Sequence, residues 1–405
     1  MEWLDAAALA VLRANFRAGT TDEGTRFAYA RPDADKFPAQ FYWDSCFHAL
    51  SWSRLDPAGG RAELRSLVAA QEPDGFIGHT LFWDAPIRAS RRPFYNVLHP
   101  SDRMTRTIQP PFLALAWEAV ALASDDDPGF AAEGLAPLAA QLDWLERERD
   151  PAGTGLLAIV QPDESGLDAS PKFDRLVGWR AAGYPGFIAL VRENRRDRFE
   201  LAPIRARGGF VVEEVLVNVA YALSLAALAR LGGGERYAER ARRVTDALVE
   251  RCYDETTGLF FDRSRDGLER VSTWTSIAPL ALPGLEPAIA DRLVDEHVLA
   301  PGEFWLPFPI PSTAASEPAF RPSTRLLRYW RGPTWMPCPW LIQRGLVAHG
   351  RDEAAVELAR RVSSLVARSG FREYYDPCSG RGMGARRFGM STLASVIAAE
   401  LSSGA

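Results

Sequence analysis

Two segments of this 405-residue chain carry closely spaced carboxylates. One reads QPDESGLDASPKFD over 161–174, and the other reads FREYYDPCSGRGMGARR over 371–387. Two further segments are aromatic and polar, FYWDSCFHALSW (41–52) and RYWRGPTW (328–335). Two carboxyl groups facing each other across an aromatic cavity are what glycosidic-bond hydrolysis needs. A protonated acid supplies the leaving oxygen with its proton, and the second carboxylate activates water or attacks directly. Chemistry alone does not choose among Asp163, Glu164, Asp168, Asp174, Glu373 and Asp376. The chain also holds 12 Trp, a residue that stacks on flat sugar faces as readily as it fills a core. Trp43, Trp330 and Trp335 fall in these segments and Trp83 in another loop, GFIGHTLFW, whereas Trp117 and Trp340 fall within apolar helices and read as packing.

The elements that must position these groups are helices, of two alternating kinds. Amphipathic, charged helices are expected at about 3–15, 59–71, 128–149, 235–252, 286–299 and 352–368. In 235–252, Tyr237, Ala241, Val244 and Leu248 form one apolar stripe, so one face packs and the other is wet. Helices apolar nearly all round are expected at about 42–55, 109–123, 211–231, 272–282, 336–348 and 388–402, and must be surrounded by protein. Six outer–inner pairs give an all-α (α/α)6 barrel, a toroid with long loops at one end. Strands are too few for a parallel α/β fold. Inner-to-outer links are short. Outer-to-inner links are long (16–41, 72–108, 150–210, 253–271, 300–335 and 369–387), and long loops in a compact domain are usually functional. All four chemical segments lie in or at the end of these long links, so they should gather at one mouth. Asp150-Pro-Ala-Gly-Thr-Gly, Asp254-Glu-Thr-Thr-Gly and Asp376-Pro-Cys-Ser-Gly recur after outer helices, with Glu72-Pro-Asp-Gly a shorter relative, and read as tight structural turns. No linker interrupts the pattern, so a single catalytic domain over 1–405 is expected.

Composition narrows the partners. Lys+Arg total 47 against 52 Asp+Glu, a net charge of -5, which gives no electrostatic case for nucleic acid or an anionic membrane. The sequence shows no unbroken apolar run of membrane-spanning length, and MEWLDAAALA lacks a basic leader region. Four scattered cysteines without CxxC, and five His without HExxH, suggest no metal, no cofactor and a reducing cytoplasm. A small-molecule glycoside is the expected partner, and a homo-oligomer is compatible with the sequence.

Taken together, FYWDSCFHALSW, EPDGFIGHTLFW, TIQPPFLALAWE, ESGLDASPKFD, RYWRGPTWMPCPWL and EYYDPCSGRGMGARRFGMST resemble glycoside hydrolase family 63. The resemblance is strongest to its short bacterial mannosylglycerate and glucosylglycerate hydrolases, and it covers nearly the whole chain. It implies an inverting α-glycosidase acting on a small α-glucoside or α-mannoside, with no metal and no covalent intermediate. It makes Asp168 the general acid and Glu373 the general base. Inversion needs room for a water, so their carboxyls should stand roughly 6.5–9.5 Å apart. Asp168 must stay protonated near neutral pH, in a partly apolar setting or near another carboxylate. Glu164 would supply that charge or merely hold the loop.

The resemblance also makes Asp44, beside Trp43 at the start of an inner helix, a sugar-hydroxyl acceptor. A helix cap is the plainer reading of an Asp there. Gln109 resembles a subsite residue, and Tyr329, Trp330, Arg331 and Trp335 would form the opposite wall. His79 and Trp83 would line the leaving-group side. A glycerate carboxylate favours Arg, and Arg88, Arg91, Arg92, Arg331, Arg386 and Arg387 all fall on mouth-side loops. The chain departs from the family at Gly78, where proline is usual, and at Pro337-Cys338-Pro339, which bears on leaving-group specificity more than on catalysis. An α-glucosidase acting on short oligosaccharides is the nearest alternative. A non-hydrolytic sugar-binding protein should lack one of the two carboxylates. A sugar epimerase would want paired central His, and only His48 is well placed. A terpene cyclase would use Asp125-Asp126-Asp127 for metal, but that run lies at the opposite end and reads as a helix start with Asp127 as N-cap and Pro128 at N1.

Overall fold

The computed structural model describes residues 2–83, 103–178, 184–323 and 329–399. Arg88, Arg91 and Arg92 lie outside the described residues. Helix dominates, and the boundaries follow the apolar pattern. The outer helices are Glu2–Asn15, Pro57–Ala69, Phe130–Arg149, Glu235–Cys252, Pro287–Arg292 and Asp352–Ser369. The fifth continues in wider π-type turns over Leu293–Val298.

The inner elements are Tyr42–Leu55, Leu113–Leu122, Val215–Leu228, Pro337–Ala348 and Leu393–Ala398, plus the 3-10 turn Ala278–Ala281. They touch in a closed sequence. The 42–55 helix contacts 113–122, then 215–228, 278–281, 337–348 and 393–398 follow, and the last returns to 42–55. Outer helices pack behind them, 57–69 on 42–55, 130–149 on 113–122, 235–252 on 215–228 and 352–369 on 337–348. The stretch Val215–Gly233 is apolar and long enough to cross a bilayer, but it is mostly buried among its neighbours. Trp117 and Trp340 are buried, and Trp117 stacks on Phe130 with centroids 4.3 Å apart.

Three expectations need correcting. The fourth inner element, expected as a helix over 272–282, is two short 3-10 turns, Trp274–Ser276 and Ala278–Ala281. Pro279 lacks the N–H that a helix interior needs, and Thr273 and Ser276 cap the first turn locally. The fold is also not purely helical. Among the described residues there are five small sheets, one of four strands and four of two, within or at the ends of the long outer-to-inner links. Among the described residues the 150–210 link further holds the short helix Asp174–Val177 and the helices Tyr184–Arg196 and Leu201–Ala206. Finally, Asp127 is no N-cap. That helix starts at Phe130 with Gly129 before it, while Arg65 pairs with Asp127 (2.9 Å) and Arg61 grips Asp126 with two bonds of 2.7 and 2.8 Å.

The recurrent Asp–Gly turns are structural. Asp150 accepts from the backbone of Thr154 and Gly155, Asp254 from Thr256, and Asp376 from Cys378 and Ser379. The second and third turns close hairpins, Tyr253–Asp254 with Leu259–Phe260 and Arg372–Tyr375 with Gly382–Arg386.

Candidate active site

A cavity of about 580 Å³ opens where the long links meet the N-terminal ends of inner helices. Asp168 and Glu373 both line it. So do Trp43, Asp44, His79, Gln109, Tyr329, Trp330 and Trp335.

Asp168 sits between two short 3-10 turns, Pro162–Ser165 and Pro171–Phe173. Its loop is pinned at both ends. Fully buried Glu164 accepts from Arg149 with two bonds (2.5 and 3.0 Å) and from the backbone of Ile108 and Val160. Glu164 therefore holds the loop instead of charging the acid. Gly166 has a left-handed φ of 74° and lies so close to Trp43 that a Cβ there would sit 2.5 Å from the ring. Lys172 is buried against Glu214, Asp262 and Thr275. The Asp168 side chain opens onto the cavity while protein surrounds it on the other sides. That partial loss of water pushes its pKa up to about 6. A backbone hydrogen bond opposes the rise, the Glu373 charge adds to it, and a hydrogen bond from the Trp330 side chain opposes it.

Glu373 comes from a strand, and from an irregular place in it. Arg372 pairs with Arg386 and Tyr374 with Met383, so the register slips across Glu373. Such a bulge re-aims a side chain. The Glu373 carboxylate turns back across the hairpin, where Oε2 accepts from Ala385 N at 2.7 Å and from Lys36 Nζ at 2.7 Å. Tyr375 exchanges backbone bonds with Thr334, which ties the hairpin to the Trp335 segment.

Asp44 is not a helix cap. The 42–55 helix begins after Phe41, which makes no side-chain cap, and Asp44 lies in the first turn among the cavity-lining residues. Burial raises its pKa to about 7, with His48 acting against the rise and Glu63 and Glu373 adding to it. The open donors of that first turn are met from outside. Tyr42 N donates to His79 O (2.9 Å), and Trp43 N to Gln109 Oε1 (2.9 Å). Gln109 therefore does not open an inner helix, since that helix starts at Leu113, but fastens the Trp43–Asp44 turn.

Aromatic rings make the remaining wall. Trp330 and Trp335 stack 4.1 Å apart at 15°, and Tyr329 packs edge-on against Trp335. Trp330 holds a left-handed φ of 61°, which only tight surroundings sustain in a bulky residue.

Two expected residues stand elsewhere. Trp83 is buried, stacks on Phe27 (5.5 Å, 15°) and donates to Gln40, so it packs a loop instead of lining the cavity. Arg331 is engaged by Asp174 in a two-bond pair of 2.5 and 2.8 Å, outside the cavity wall. Arg386 and Arg387 are exposed, and among the described residues no Arg lines the cavity.

The sequence reading also passed over Lys36 and gave Asp163 no role. Asp163 lines the cavity 3.7 Å from His79. Burial, with Glu164 and Asp168 close by, raises its pKa to about 8, and burial lowers that of His79 to about 4, so both are neutral near pH 6. Thr80, Thr105 and Thr107 add hydroxyls to this wall, and Phe187 and Ile188 of the unexpected 184–196 helix add apolar cover. The one signal for Lys36 was its rarity, since only two of the 47 basic residues are Lys.

A cavity that opposes a protonatable carboxyl to a carboxylate amid Trp and Thr suits the cleavage of a bond between sugars or between a sugar and an alcohol. The protein is a glycoside hydrolase. Residues 37–391 match the model described as the mannosylglycerate hydrolase MGH1-like glycoside hydrolase domain, and the chain belongs to that family. A mannosylglycerate hydrolase of Rubrobacter radiotolerans is 29% identical, with 89% of this chain and 90% of that protein covered. A glucosylglycerate hydrolase of Mycolicibacterium hassiacum is 26% identical over 86% and 89% of the two chains. Among solved structures, the family 63 mannosylglycerate hydrolase of Thermus thermophilus in complex with Tris and D-glycerate superposes with a TM-score of 0.83. It is 26% identical, over 97% of this chain and 99% of that one.

Proposed function

We propose that this chain is an inverting α-glycosidase whose substrate is a small acidic glycoside, glucosylglycerate or mannosylglycerate. One (α/α)6 toroid spanning 1–405 would form its catalytic domain. The observation that carries the mechanism is the unequal setting of the two carboxyls. Asp168, with its pKa raised to about 6, can hold a proton, while Glu373 is paired with an ammonium. Asp168 gives its proton to the glycosidic oxygen as the bond to the anomeric carbon breaks. Water attacks that carbon from the opposite face and passes a proton to Glu373. The products are the free acid or alcohol and a sugar of inverted anomeric configuration. Asp44 would hold the sugar's hydroxyls beside an aromatic wall in which Trp43 packs against Trp330 (5.9 Å) and Trp330 stacks on Trp335. Four free thiols fit a cytoplasmic location.

The glycerate part of the reading rests on the hydrolases of that name to which the chain is similar. One observation favours the second reading, an α-glucosidase on short neutral oligosaccharides. Of the described arginines expected to meet a carboxylate, Arg331 is already occupied by Asp174, and Arg386 and Arg387 do not line the cavity. A hydrolysis screen with glucosylglycerate, mannosylglycerate, trehalose, kojibiose and nigerose separates the two. Preference for either glycerate glycoside supports the first reading, and cleavage of the disaccharides alone supports the second. In either case Asp168→Asn and Glu373→Gln should each lower kcat by about 10²–10⁴-fold, and a fully active variant of either kind would overturn the assignment.

A further inference from the structure

Of 47 basic residues, only Lys36 and Lys172 are lysine, and both sit on carboxylates beside the two catalytic loops. Elsewhere several carboxylates are met by arginines that fork. Arg149 takes both oxygens of Glu164, Arg331 both of Asp174, and Arg61 both of Asp126. That is the normal behaviour of a planar guanidinium, whereas an ammonium is a point donor that can occupy one oxygen alone.

At Glu373 the difference bears on the chemistry. Lys36 Nζ and Ala385 N both bind Oε2, each at 2.7 Å. Among the described residues no donor engages Oε1. A general base needs one oxygen with an open lone pair to take a proton from water, and its carboxylate plane must be fixed. Lys36 is itself held in place. Its backbone N–H donates to Asp33 (2.7 Å), and its ammonium lies 4.8 Å from the centre of the Phe37 ring and 5.6 Å from that of Tyr329. Gly384, at a φ of 66°, leaves the space on the other side, where a Cβ would come within 2.5 Å of Oε2.

We propose that Lys36 is a positioning residue for the base: it fixes Glu373 through Oε2 alone and so reserves Oε1 for the attacking water, a task that arginine cannot take over. This inference rests on the reading of Glu373 as the general base.

The test uses the full chain with α-glucosyl and α-mannosyl fluoride. Fluoride leaves with little help from an acid, so these substrates report on the base. Lys36→Met and Lys36→Arg should each lower kcat on the fluoride that the wild type cleaves by about 10–100-fold, toward the lower end of what a general base contributes. KM should stay within about twofold, and Lys36→Arg, which keeps a cation beside buried Glu373 on a side chain that is 42% exposed at Lys36, should keep the thermal midpoint. Asp168→Asn should keep much of its activity on the fluoride, and Glu373→Gln should lose it. An inactive Glu373→Gln beside a Lys36→Arg protein with wild-type kcat would overturn the lysine's role alone. So would a Lys36→Met defect confined to KM, which would make Lys36 a substrate-binding cation. A Glu373→Gln protein as fast as wild type would overturn the base assignment and the lysine's role with it.

Discussion

In the proposed mechanism Asp168 carries a proton into a reaction in which Glu373 acts as an anion, and the surroundings of the two carboxyls differ. Asp168 faces a cavity walled by Trp330 and neighbouring protein, with no cation at hand among its described contacts, and its pKa is pushed up to about 6. Glu373 has an ammonium and a backbone N–H on one oxygen. The sign of the pH dependence follows. A general acid works in its protonated form, so activity is present below the pKa of Asp168 and declines as pH rises through it. The alkaline limb of kcat/KM should therefore lie near pH 6 in the free enzyme, and it should weaken on glycosyl fluorides, which need little proton donation. A profile measured from pH 4 to 9 checks this. A limb near pH 4, the range of an unperturbed Asp, would show that Asp168 is not shielded as described. At this scale the sequence narrowed the acid to six carboxylates, and only the family motifs chose Asp168 and Glu373. No local pattern reports which carboxyl loses water. Asp163 is more deeply buried than Asp168, and that burial, with the neighbouring Glu164 and Asp168 charges, raises its pKa further, to about 8.

The elements position these groups by tying loops to helix ends. Glu164 is the clearest case. It joins the acid loop to Arg149 at the end of an outer helix and to the backbone of Ile108 and Val160. Both side chains are buried, Glu164 completely and Arg149 to all but 3%. Removing the carboxylate leaves a guanidinium without its counter-charge in protein interior. Glu164→Gln should thus cost about 3–5 kcal/mol, as for other broken buried pairs, read as a fall in the urea midpoint. A cost below about 1 kcal/mol would mean that the pair does not anchor the loop. Most helices were legible because an inner helix is apolar on all sides and an outer one on a single stripe; 42–55 came out to the residue. Where the pattern misled, short-range hydrogen bonding or proline prevailed, as at Thr273–Ser276 and Pro279. The bulge that aims Glu373 had no signature in FREYYDP, because a register slip is a property of two strands.

At the scale of the molecule, the inner elements touch in a closed sequence from 42–55 round to 393–398, and five of the six long links contribute residues to one cavity. That is why segments as distant in sequence as 41–52, 161–174, 328–335 and 371–387 share one cavity, and why the alternation of helix types was enough to foresee a common mouth. The joint between the chain's two ends is also built there. Asn15 donates to Arg387 O, and Gly389 N to Pro32 O, so the Glu373 hairpin and the loop that carries Lys36 are fastened to each other through the first and last parts of the ring. What the alternation could not foresee was the furniture of the mouth. The small sheets, the 184–196 helix and the engagement of Arg331 by Asp174 all arise outside the helix pattern, and the described cavity has Thr hydroxyls and a neutral Asp163–His79 pair among its lining groups. The central claim joins all three scales: the two carboxyls at this mouth hydrolyse a small α-glycoside of glycerate in a single displacement. Proton NMR of the freshly cleaved sugar tests it most directly. With glucosylglycerate or mannosylglycerate as substrate, the β-anomer should accumulate first and then equilibrate. First appearance of the α-anomer, or no hydrolysis of either compound, would contradict it.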